Sequence, residues 1–188
     1  MGRFDSYSGL LTAYPYAFGQ SSSLLFRSYV VVSAVVAAAV VALAVGGLLV
    51  LISNTTGAGG GSLTLSRTFY VVVGLFVFVP IVGPVLFVAN RHRRQRQVAD
   101  SYDAALGAAG YGFVLSVYVA LVASMPPEFG SGANVVTRPE PSGVFAPVVE
   151  LLYAVPSVAS PLFVLAGALV VYGVHRHFAS KHGNGETA

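Results

Sequence analysis

The sequence predicts an all-α fold, a polytopic integral membrane protein built as a four-helix transmembrane bundle, on three observations. Residues 28–53, 68–90, 104–125 and 156–176 are apolar stretches that carry no charged side chain apart from Arg176 at the last margin. At ~1.5 Å of rise per residue, each is long enough to cross a hydrocarbon core ~30 Å thick. Only 9% of residues are charged and 55% are apolar; a soluble domain carries about 25% charged residues, so this chain could not cover its own surface in water. The runs are continuous, whereas the strands of a membrane β-barrel alternate apolar and polar residues.

Residues 1–27 read as a cytoplasmic N-terminal arm. Phe4, Tyr7, Tyr14, Tyr16 and Phe18 stand among Ser and Gly, and Tyr rings favour the headgroup zone, so the arm reads either as lying along the cytoplasmic interface or as a partly disordered tail. Pro15 argues against a regular helix within it. The first apolar run outlasts the roughly 7–15 residues of a signal-peptide core and reads as a signal anchor that is retained.

In the first span Ala34, Ala38, Ala42 and Gly46 recur every four residues. A face of small residues lets helix backbones approach in lipid, where no hydrophobic effect drives them together. Packing within the chain is the expected use of this face, ahead of a homodimer. After the span, Gly57, Gly59, Gly60, Gly61 and Ser62 have the composition of a flexible linker. Asn54, Thr55 and Thr56 match the acceptor pattern for N-glycosylation.

The second span contains Pro80 and Pro84. Each proline removes one intrahelical bond, freeing the carbonyls of Phe76 and Pro80, and a kink is expected. The loop that follows holds Arg91, His92, Arg93, Arg94 and Arg96, dense enough to contact anionic lipid headgroups or a partner at ~1 kcal/mol per basic residue.

In the third span Ala105, Ala109, Gly112, Ser116, Ala120 and Ala123 are spaced 4, 3, 4, 4 and 3 apart, which places them on one face of a 3.6-residue helix, a helix-packing face. Gly107, Gly110 and Gly112 do not have the spacing of a phosphate-binding loop and read as close-packing residues. Asp100 and Asp103 begin this span as capping and dipole-complementing residues.

Pro126, Pro127, Pro139 and Pro141 mark the next loop as irregular and exposed. Residues 145–155 are apolar except Glu150. Joined straight to the fourth span they would make a helix of about 50 Å, too long for the core, so they are expected in the interface. Pro156 and Pro161 are the candidate bends, and residues 179–188 the flexible cytoplasmic tail of a transmembrane domain spanning 28–178.

Eight of the ten basic residues fall in the two termini and the second loop, leaving Arg67 and Arg138 elsewhere. The positive-inside rule then places both termini and that loop in the cytoplasm of a multi-pass cell-membrane protein.

The chemistry-bearing residues are sparse. There is no cysteine, which removes disulfides and thiolate ligands. No ionisable residue stands near the centre of a span, which removes the usual marker of proton relays and ion coupling. His175, His177 and His182 gather after the fourth span, but the spacing is poor for a shared metal, and histidines suit a helix C-terminus. No nucleophile motif is present, and one short basic loop offers no platform for nucleic acid. The expectation is a protein without enzymatic activity, cofactor or metal, acting as an interaction, accessory or scaffold subunit. Its partners would be the bilayer and a membrane protein or further copies of itself. The alternative is a subunit of an oligomeric channel or transporter using the proline-bearing spans.

Overall fold

The computed structural model describes residues 9–54, 61–94, 100–129 and 135–183. Four helices are long and apolar enough to cross a membrane, over Leu24–Ser53, Val71–Arg94, Asp100–Ala123 and Ser157–Phe178. The chain divides into two compact units, Met1–Tyr111 with Val171–Ala188, and Gly112–Val170.

The first unit opens with α1 (Leu10–Gln20), where a helix was not expected. The Thr12 hydroxyl accepts from the Gly9 N–H at 3.1 Å and donates to the Gly9 carbonyl at 3.0 Å, which starts the helix. Pro15 lies inside it and removes a single backbone bond, the one to the Leu11 carbonyl. That loss is offset by burial of Ala13, Tyr16 and Ala17 as α1 packs on both α2 (Leu24–Asn54) and α3 (Gly61–Arg94).

α3 starts seven residues before the expected 68, because extending a formed helix costs far less than nucleating one. Asn54 is the last residue of α2; Thr55 and Thr56, and with them most of the glycosylation pattern and the linker glycines before Gly61, lie outside the described residues. α3 remains one helix through Pro80 and Pro84. Phe26, Tyr29, Ile81, Val85, Val88, Tyr102 and Leu106 are fully buried and form the core of this unit.

Tight spacing between α2 and α4 (Asp100–Ala123) is set by two glycines. A Cβ on Gly107 would stand 2.7 Å from Leu25 Cδ2 and 3.0 Å from Phe26 Cα, and one on Gly110 would overlap the Tyr29 ring. The packed face of α4 in this unit thus takes in Asp103, Leu106, Gly107 and Gly110 beside the expected stripe, and two of the three glycines read as close-packing residues stand on it. Ala109 is buried, Ala105 is half-buried, and Gly112 is exposed with nothing within 4 Å of where a Cβ would sit. Gly110 leaves room for the Tyr29 ring, and Gly107 for Leu25 and the Phe26 backbone.

The second unit holds the remainder of α4, with Ala120 and Ala123 buried and Ser116 half-buried. A Cβ on Gly167 would overlap the Ser116 side chain and approach Phe113 Cδ2 at 3.1 Å, so a glycine is required there for close approach. The loop expected to be irregular contains a short antiparallel pair, β1 (Glu128–Phe129) and β2 (Val136–Thr137), with Glu128 opposite Thr137 and Phe129 opposite Val136. Their pairing satisfies backbone groups that an irregular loop would leave to solvent. α5 (Ala146–Tyr153) follows, none of it buried. The Arg138 guanidinium lies 4.0 Å from the Tyr153 ring centroid, and the Tyr153 hydroxyl is 3.4 Å from the Pro139 carbonyl. Pro156 stands between α5 and a 3₁₀ turn at Ser157–Ala159. Pro161 is the first residue of α6 (Pro161–Gly183); its missing N–H belongs to a group that would have no intrahelical partner there. α6 continues to Gly183, past the expected end of the span at 176 and into the expected tail.

Candidate functional site

Several of the polar side-chain contacts that join helices of the first unit lie where α3 ends, α4 begins and α6 ends. Arg91, His92, Arg93 and Arg94 occupy the last turn of α3, and Asp100 and Asp103 the first turn of α4, so each helix end carries the charge that its dipole favours. His92 Nε2 is 2.9 Å from Asp103 Oδ2, with side-chain exposures of 13% and 1%. Asp103 Oδ1 is buried and has no hydrogen-bond partner among the described residues. The Ser22 hydroxyl donates to the Asp100 carboxylate, tying in the connection between α1 and α2.

Tyr102, next to Asp103 on α4, reaches α6. Its hydroxyl is 2.8 Å from His175 Nδ1, and the His175 ring stacks on Phe87 at 4.1 Å between centroids and 12° between planes. A donating tyrosine makes Nδ1 the acceptor and leaves the imidazole proton on Nε2. Arg91 crosses the same junction, with its guanidinium 4.2 Å from the Tyr102 ring centroid and Nη2 3.4 Å from the Phe178 carbonyl. These side chains come from three helices and are held by one another; the arrangement is a clasp of helix ends.

The basic residues expected to meet lipid or a partner thus divide. Arg91 is half-buried and engaged in the clasp, Arg93 and Arg94 are exposed, Arg94 Nε donates to Asn90 Oδ1 at 3.1 Å, and Arg96 lies outside the described residues. Of the histidines, His175 is in the clasp and His177 is exposed, its ring edge-on to Phe178 at 5.6 Å. Among the described residues, no three His, Cys, Asp or Glu gather as a metal site.

The proline stretch of α3 is packed. Ile81, Val82, Pro84 and Val85 are buried, and the Tyr29 hydroxyl donates to the Ile81 carbonyl at 2.6 Å. Tyr111 meets the Tyr29 ring edge-on at 5.3 Å and donates to the Ser28 hydroxyl at 3.0 Å. The sequence reading passed over Tyr29, Phe87 and Tyr102; aromatic residues near the ends of apolar spans were the available signal.

α2 contrasts with this locked end. Only 6% of its most apolar window is buried, against 33% for α4. Ala34, Ala38, Ala42 and Gly46 are all exposed, which corrects the expectation that this face packs within the chain. The physical reason is that α4 approaches α2 through Leu25, Phe26 and Tyr29, nearer the start of the helix. Along the exposed face, α1 on one side and α3 on the other enclose an apolar groove of about 740 Å³, lined in part by Leu11, Tyr14, Ala38, Val41, Phe78 and Val82.

No curated protein and no solved structure matches the chain. A family model, described as Domain of unknown function (DUF8056), matches residues 1–179, and the protein belongs to that family.

Proposed function

We propose that the protein is a non-catalytic, multi-pass subunit of the cell membrane that acts through helix–helix interaction, as an accessory or scaffold component, with both termini in the cytoplasm. The observation that carries this reading is the exposure of α2, a 31-residue helix that leaves its small-residue face open. In lipid such a face permits close approach of another helix. Gly46 has nothing within 4 Å of where a Cβ would sit, and Leu43 and Leu49 beside it are 75% and 61% exposed. The half of α2 around Gly46 is the contact offered to a partner helix. The clasp serves this role by fixing the helix ends so that α2 is presented on a rigid support. Its basic residues set the orientation.

Because the chain has no cysteine, a single cysteine at Leu49 gives a clean crosslinking probe in native membranes. A stoichiometric adduct, either with one other protein or with a second copy, is expected. Gly46→Ile, which fills the face without touching the chain's own packing, should abolish it. A chain that stays monomeric in native membranes and gives no adduct would overturn the proposal.

A further inference from the structure

We propose that the groove along α2, between α1 and α3, is a binding site for one anionic glycerophospholipid, with an acyl chain along Ala34 and Ala38 and the phosphate on Arg27. The groove is deep because its floor is built from alanines, while Leu11 and Tyr14 on one side and Phe78 and Val82 on the other form its walls. A second depression, lined by Phe18, Val31 and Val35, adjoins it and shares Tyr14 and Ala34. From Val30 to Val45 the two run along sixteen residues of α2, which is ~22 Å along a helix, the full depth of one ~15 Å leaflet with some excess.

The lining selects for hydrocarbon. Its one hydroxyl, on Tyr14, is buried beside Ser33 without hydrogen-bond geometry, and the Ser33 hydroxyl is already spent on the Val30 carbonyl at 3.1 Å. At the mouth the lining changes character. Arg27, four residues before Val31, is half-buried with its guanidinium 4.4 Å from the Phe18 ring centroid, and among the described residues it has no carboxylate partner. Stacking on Phe18 fixes the cation while leaving its donors for a phosphate, which guanidinium recognises by shape as well as charge.

A second copy of the chain is a poorer occupant on grounds of charge. It would bring Arg27, Arg93 and Arg94 to the same level as their equivalents, and Asp100, the nearby acid, is engaged by Ser22. A membrane lipid with a negative headgroup supplies the missing charge and the apolar length together.

The test uses the full chain in mild detergent, exposed to an equimolar mixture of phosphatidylglycerol and phosphatidylcholine, passed over a sizing column and weighed by native mass spectrometry. One retained lipid per chain is expected, with phosphatidylglycerol favoured about fivefold, the ratio that ~1 kcal/mol per basic residue gives. Arg27→Gln should keep the lipid and bring the preference near parity, Arg27→Lys should restore much of it, and Arg94→Gln should change nothing. Ala38→Leu should eject both lipids, and Ala34→Leu repeats that arm should Ala38→Leu not fold. Gly46→Ile should retain the lipid, which separates this site from the helix contact proposed above. Lipid retention unchanged by the leucine variants, a preference unchanged by Arg27→Gln, no retained lipid in the wild type, or a second copy in its place would overturn the proposal.

Discussion

The Tyr29 hydroxyl donates to the carbonyl of Ile81 at 2.6 Å, joining α2 to α3 one residue after the first proline of that helix. The same ring occupies the notch left by Gly110 on α4. One side chain therefore sets the spacing of three helices: it fixes α2 on α3 through a polar bond and α2 on α4 through shape.

Tyr29→Phe keeps the ring and removes only the bond. Interhelical hydrogen bonds in membranes contribute about 0.6 kcal/mol on average, with a maximum near 1.7. A loss of roughly 0.5–1.5 kcal/mol is expected in denaturing-detergent titrations, with the helical content of the folded state unchanged. No measurable loss would mean that the hydroxyl finds an equal partner in the unfolded ensemble.

Two glycines on the same helix should behave oppositely. Gly110→Ala drives a methyl into the Tyr29 ring, and overpacking of this kind costs roughly 1–3 kcal/mol. Gly112→Ala meets nothing within 4 Å and should fall within about 0.5 kcal/mol of the wild type. Equal effects in the same titration would remove the argument that Tyr29 selects the packed face of α4.

That pair of glycines also shows what a sequence can and cannot display. The four spans are legible because a run without charge is a local property, and no tertiary arrangement alters its length. Which stripe of α4 is packed depends on a ring presented by α2, more than eighty residues away in the chain. Helix α1 was hidden for a similar reason: Pro15 weakens it locally, and only burial against α2 and α3 makes up the difference. The clasp was partly visible. Asp103 reads as an acid at a helix start and His92 as part of a basic run, but their pairing requires α3 to end and α4 to begin side by side. Tyr102 and His175 lie 73 residues apart, and nothing in the spacing links them. The small-residue face of α2 is legible in its alanines, while its exposure among the described residues depends on where α4 meets the helix.

The His92–Asp103 pair should show strong coupling. Removing one member of a buried pair leaves the other charge unsolvated, at a cost of about 3–5 kcal/mol, and the 1% exposure of Asp103 puts it in that class. His92→Ala should therefore destabilise more than the double variant His92→Ala with Asp103→Ala. A double-mutant cycle read by detergent unfolding is expected to give a coupling energy of roughly 1–3 kcal/mol. Additive effects would mean that water reaches the carboxylate and that the pair is incidental.

Arg91 and Arg94 carry the same charge on the same turn, and separate a clasp from an exposed basic surface. Arg91 lies over Tyr102 and reaches the Phe178 carbonyl, contacts that depend on a planar group able to stack and donate together. Arg91→Lys keeps the charge and loses that geometry, so a loss of roughly 1 kcal/mol is expected, the size of a partly desolvated cation–π contact with its hydrogen bond. Arg94, exposed and, among the described residues, bonded to Asn90 one turn back on its own helix, should tolerate Lys or Gln within about 0.5 kcal/mol. The two variants also differ in their response to salt. Added salt screens exposed charges and leaves a stacked, half-buried contact largely intact, so the Arg91→Lys deficit should persist at high ionic strength in the same unfolding assay. A deficit that salt abolishes would make Arg91 a surface charge like its neighbours, and the junction of α3, α4 and α6 would then rest on Tyr102 and His175 without it.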